Sequence, residues 1–80
     1  MDTHLADQHL ATGPFEATLT ATITFRRVHP FDGVEFDVAP AGTSCRVHDR
    51  DDDGYLVTVN VDGQDWEAWN VPADRFEAAT

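Results

Sequence analysis

Between Phe15 and Arg26 the chain alternates without interruption. Phe15, Ala17, Leu19, Ala21, Ile23 and Phe25 are apolar, and Glu16, Thr18, Thr20, Thr22, Thr24 and Arg26 stand between them. Neighbouring side chains of a β-strand point to opposite faces. A period of two over twelve residues therefore predicts one long strand with a dry face and a wet one. The wet face is mostly threonine, whose branched side chain suits the pleat and keeps a hydroxyl in water.

The remainder reads the same way. His29-Pro30-Phe31-Asp32-Gly33 is a turn, because proline presets its own φ and glycine reaches positive φ. Val34, Phe36 and Val38 alternate with Glu35 and Asp37 as a second strand, closed by Pro40-Ala41-Gly42. Thr43 to His48 is a third, with Cys45 and Val47 on one face. Tyr55, Val57, Val59 and Val61 mark a fourth, and Asp62-Gly63 is a short hairpin signal leading to a fifth over Gln64 to Val71. Pro72 ends it, and Ala73 to Ala78 suits one helical or 3₁₀ turn.

At 80 residues one small domain is the ceiling. The predicted fold class is all-β: a five-stranded antiparallel meander over residues 14–80, curled into a small, partly open barrel. Residues 1–13 are expected as a loose arm or short helix, with Gly13-Pro14 as punctuation. The expected core is Phe15, Leu19, Ile23, Phe25, Val34, Phe36, Val38, Val47, Val57, Val59 and one tryptophan. Trp66 and Trp69 are three apart, so a regular strand sends them to opposite faces. One joins the core; the other packs under a terminal segment or lies at an interface.

Charge bounds the solvent more than the fold. Fifteen acids, eleven of them Asp, face five basic residues, all Arg, for a net charge of -10 without a single lysine. In dilute buffer such a surface repels itself. In about 1 M salt the Debye length falls to about 3 Å and the repulsion is screened. This composition resembles the small acidic, lysine-free proteins of halophilic archaea that hold salt in the cytoplasm. The resemblance implies a salt-adapted cytoplasmic protein. Met1-Asp2-Thr3-His4 has neither the basic start nor the apolar core of a secretory signal, and no apolar run reaches the ~20 residues of a spanning helix, so no membrane association is expected. The tail Trp69-Asn70-Val71-Pro72-Ala73-Asp74-Arg75-Phe76 is similar to the late strand, proline and single turn of Src-homology-type small barrels. That family's ligand-loop patterns are absent, so none of its binding residues carries over.

Few residues carry chemistry. Asp49, Asp51 and Asp53 alternate before Gly54, and Leu56 follows, like the first half of a calcium loop. Position nine is Val57 and position twelve is Asn60, where the loop needs a bidentate glutamate. The favoured reading of the run is a solvated hairpin turn in an acid-rich chain. Cys45 cannot form a disulfide within the chain, and it lies three residues from His48, on the opposite strand face, so the two do not chelate one ion. His4 and His9 fall in the N-terminal arm. No cofactor and no enzyme activity is expected. Arg26 and Arg27, beside Phe31 and a surface Trp69, form the expected interface. The leading reading is a non-catalytic interaction module that pairs first with itself as a homodimer. The alternatives are a single-stranded nucleic-acid binder using the same residues, and a module tied by calcium through Asp49, Asp51 and Asp53.

Overall fold

The computed structural model describes residues 10, 11 and 13–79. Seven strands form one antiparallel sheet: β1 (Phe15–Leu19), β2 (Ile23–His29), β3 (Gly33–Ala39), β4 (Ser44–Asp51), β5 (Gly54–Val61), β6 (Gln64–Val71) and β7 (Phe76–Ala78). Their order across the sheet is β3-β2-β6-β5-β4-β1-β7. A 3₁₀ turn, Ala73–Arg75, follows Pro72 where a single turn is expected. Most of the arm predicted over residues 1–13 lies outside the described residues, although Leu10 packs against the core.

The all-β, antiparallel class stands, but the count, the meander connectivity and the closure are corrected, since β1 pairs with β4 and β7 and β2 pairs with β6. Among the described residues five expected strands become seven, and the ladder is not closed into a barrel: β3 and β7 are its outermost strands. The long alternating strand breaks between Leu19 and Ile23. The Thr20 amide donates to the Arg75 carbonyl at 2.8 Å and the Thr20 hydroxyl donates to the Asp74 carbonyl at 2.8 Å, while the Leu19 amide donates to the Thr43 carbonyl at 2.9 Å. These bonds hold the end of β1 beside β4 and the C-terminal turn. The chain then continues as β2 on the other side of the sheet, beside β6. Because the sheet curls around one core, Ala17 and Leu19 before the bend and Phe25 after it point into the same interior. The alternation passes through the bend unchanged, which hides it in the sequence.

Two bulges reset the alternation elsewhere. Between Val47 and Asp49 β4 gains a residue on β5, and between Ala68 and Val71 β6 gains one. In β6 the extra residue lets Trp69 and Asn70 both face outward while Val71 returns to the core, with Asn70 at φ 61°. Gly54, at φ +150°, lies against that bulge. A Cβ there would sit 2.6 Å from the Asn70 carbonyl carbon. At the next turn Asp62 and Gly63 have φ of 53° and 82°, the two positive values that a tight hairpin requires.

Leu19, Phe25, Val47 and Val57 are the most deeply buried large side chains. Around them lie Cys45, Tyr55, Val59, Trp66, Val71 and Phe76, with Tyr55 and Phe76 edge to face at 5.3 Å. Trp66 is thus the core tryptophan. Val34, Phe36 and Val38, expected in the core, are exposed, and their places are taken by Tyr55, Val71, Ala73 and Phe76.

Candidate interaction surface

The displacement of Val34, Phe36 and Val38 follows from register. The three-residue turn Pro30-Phe31-Asp32 ends in Gly33 at φ +88°, a conformation that glycine reaches without a Cβ clash, and it pairs His29 with Gly33. Counting back, Phe25 pairs with Asp37, Arg26 with Phe36 and Val28 with Val34. Directly paired residues of an antiparallel ladder share a face. Phe25 points inward, so Asp37 and Glu35 take the inner side, and the apolar residues of β3 go outward with Arg26 and Val28. The apolar alternation of β3 is real but out of phase with that of β2, since a shift of one residue exchanges the faces of a strand.

The single registered pair between β2 and β6, Arg26 with Glu67, brings Trp69 to this outer side. Arg26 Nε lies 3.4 Å from Glu67 Oε1. A shallow cleft of about 190 Å³ runs over this pair, lined by Thr24, Arg26, Phe36, Glu67 and Trp69 among others. Phe36 is 66% exposed, Trp69 48%, Val28 60% and Val38 59%, and Phe31 at the hairpin tip is 97% exposed. Isolated exposed apolar side chains are ordinary; a contiguous group of them is not.

Arg27 is on the inner side, away from Trp69. Its guanidinium lies 5.1 Å from the Trp66 ring centroid, and Nη2 donates to Glu35 Oε1 at 3.1 Å. His29 Nε2 is 2.7 Å from the same Glu35 oxygen, and because a carboxylate only accepts, the ring donates. The His29 hydrogen bond holds the Glu35 carboxyl below its ordinary range. The Arg27 charge acts in the same direction, and partial desolvation opposes both. The two adjacent arginines therefore diverge, each engaged by a glutamate, and do not form one cationic patch.

The outer side of the other half of the sheet is a polar ladder. Arg46 Nε donates to Glu16 Oε1 at 3.0 Å, His48 Nε2 is 2.6 Å from Thr58 Oγ1, and Asn60 Nδ2 donates to Asp65 Oδ1 at 3.0 Å. A groove of about 340 Å³ runs among these residues. This outer half of the sheet thus carries paired polar side chains, and the hairpin face differs from it.

The remaining candidates are placed as follows. In the acidic loop, Asp51 Oδ1 accepts from the Asp53 and Gly54 amides, each at 2.9 Å, and Asp49 Oδ1 accepts from the Arg50 amide at 2.8 Å. The Asp51 carboxylate closes the β4–β5 turn itself. Among the described residues, no group of three or more His, Cys, Asp or Glu side chains is arranged to hold a metal ion. Cys45 is buried, and burial, with the nearby negative charge of Glu16 adding, pushes its thiol up to about 11, far from the thiolate that a nucleophile needs. His48 projects outward from the β4 bulge, away from Cys45. His4 and His9 lie outside the described residues. No described helix is long and apolar enough to cross a membrane.

Compared with protein-family models, curated proteins and solved structures, the chain shows no match.

Proposed function

We propose that this chain is a salt-adapted, non-catalytic interaction domain that works by burying the outer face of its β2–β3 hairpin against another protein surface. One observation carries the reading: Val28, Val34, Phe36, Val38 and Trp69 lie exposed on one side of the hairpin and β6, in a chain of net charge -10 whose remaining described strands expose one large apolar side chain, Val61. An apolar face flanking a central ion pair has the composition of an interface core, where charge is depleted and aromatics are enriched.

The same face holds the residues that a single-strand binder would use, Arg26 between Phe36 and Trp69. Electrostatics favours a protein surface instead. Glu67 neutralises Arg26 and Arg27 faces the other way, so the face offers phosphates no net positive charge.

The test uses Nile red, a neutral apolar dye, with dilute protein in 2 M KCl. Wild type binds the dye on folding. Phe36→Ser with Trp69→Ser lowers that binding at least tenfold while changing stability by no more than about 1 kcal/mol, as expected of exposed positions. Phe25→Ala, in the core, removes about 3–5 kcal/mol. Equal dye binding by the double variant, or a loss of stability on the Phe25 scale, refutes the reading. Saturable quenching of Trp69 by an oligonucleotide at the same salt concentration moves the assignment to nucleic acid.

A further inference from the structure

Building on that interaction reading, we infer that the surface covering the hairpin face is the same face of a second copy, packed sheet against sheet about a two-fold axis. Area is the first argument. Val28, Val34, Phe36, Val38 and Trp69 leave about 500 Å² of side chain exposed on this face, and Phe31 at the tip adds about 200 Å², taking an aromatic side chain at roughly 200 Å². That exceeds the roughly 300–600 Å² of the largest apolar patch on an ordinary monomer. With the polar margin of Thr24, Arg26 and Glu67 it reaches the about 800 Å² that each partner contributes to a standard interface.

Charge is the second. The chain carries -10 overall, but the charges among the apolar residues of this face are the paired Arg26 and Glu67, with Asp65 engaged by Asn60 at its margin, while Glu35 and Asp37 of the same hairpin point to the opposite side. A cationic partner would be drawn to the acidic surfaces. An apolar face whose central charges are paired fits another of its kind, and two copies meeting here keep the hairpin acids Glu35 and Asp37 away from the contact. A two-fold axis also makes Arg26 of one copy available to Glu67 of the other, so the central pair is complementary to itself.

The outer edge of β3 is the competing route, and it is guarded. Asp37 Oδ1 accepts from the Val38 amide at 2.8 Å, which occupies a backbone donor. Antiparallel pairing of β3 with its copy about Phe36 would also set Glu35 opposite Asp37, a like-charge pair.

The experiment is sedimentation equilibrium on the full chain from 1 μM to 1 mM in 2 M KCl, with circular dichroism to confirm that each variant is folded. Wild type sediments at twice the monomer mass, and Nile red binding falls as the dimer forms. Phe36→Glu and, independently, Trp69→Ser weaken the dimer by at least about 100-fold and 10-fold. Arg26→Glu weakens it as well, and Arg26→Glu with Glu67→Arg restores it. A wild-type monomer at 1 mM that still binds the dye overturns the dimer but leaves an interaction face for another protein. A folded monomer that never binds the dye overturns both readings. A dimer indifferent to Phe36→Glu and to Trp69→Ser shows that copies meet elsewhere and overturns this inference.

Discussion

Replacing Gly54 with alanine tests the packing of β5 against the β6 bulge that returns Val71 to the core. Gly54 begins β5 at φ +150°, where an L side chain is strained, and its Cα lies against the β6 bulge. A Cβ would meet three backbone atoms: the Asn70 carbonyl carbon at 2.6 Å, its oxygen at 2.9 Å and the Val71 nitrogen at 2.9 Å. No flexible side chain is available to yield, so the two strands must separate. Dihedral strain of about 1–3 kcal/mol adds to an overpacking cost of similar size, giving a loss of about 3 kcal/mol. Gly63→Ala is the matched control. It also has positive φ, +82°, but its Cβ would meet nothing within 4 Å, so only the left-handed penalty of about 1–2 kcal/mol applies. In a domain of this size 1 kcal/mol moves the melting midpoint by about 4–8 °C. Gly54→Ala should therefore melt about 12–24 °C below wild type in 2 M KCl, followed by far-ultraviolet circular dichroism, and Gly63→Ala about a third to two-thirds as far below. Because the bulge that must move contains Asn70, the Trp69 emission should shift in Gly54→Ala and stay unchanged in Gly63→Ala. Equal midpoints for the two variants would refute the close approach of β5 to β6, and with it the bulge as the reason Val71 returns to the core.

Two further outcomes are expected. The folded Glu35 carboxyl titrates below its ordinary value of 4.5, so its contribution to stability is full above that value and disappears as pH falls through the folded pKa. Carboxyl carbon shifts give the titration directly, Glu35→Gln should flatten the stability of the hairpin over that acidic window, and a Glu35 that titrates at its ordinary value contradicts the His29–Glu35 contact. Raising KCl from 0.1 to 2 M shortens the Debye length from about 10 Å to under 3 Å and should raise the melting midpoint by about 10 °C or more, equivalent to roughly 2 kcal/mol. An unchanged or falling midpoint would remove the brine-adapted reading of the -10 charge.

Local alternation sufficed to locate the strands from Gly33 to Val71 and the Asp62-Gly63 turn, because each depends on neighbours in sequence; of the turn expected over Ala73 to Ala78 only Ala73–Arg75 formed, and Phe76–Ala78 joined the sheet beside β1 as β7. Spacing placed the two tryptophans on opposite faces; that Trp66 is the buried one and Trp69 the exposed one came from the structure. The break at Thr20 was invisible. It depends on bonds to Arg75 and Asp74, more than fifty residues away, and the apolar face continues across it. The misplacement of Phe36 had a signal available. A turn pairing His29 with Gly33 necessarily sets Arg27 opposite Glu35, a favourable charge pair, and Phe36 opposite Arg26, so β2 and β3 cannot both bury their apolar rows. The Arg26-Arg27 patch dissolved for the same reason: adjacent residues of a strand face opposite ways, and each found its own glutamate.

The sequence by itself determined that this chain is an antiparallel β protein with a heavily acidic surface, since side-chain period and charge are properties of the string. Only the tertiary structure decided which apolar rows form the core and which meet solvent. That choice depends on register between strands, and one residue of register exchanges the inside of a sheet with its outside.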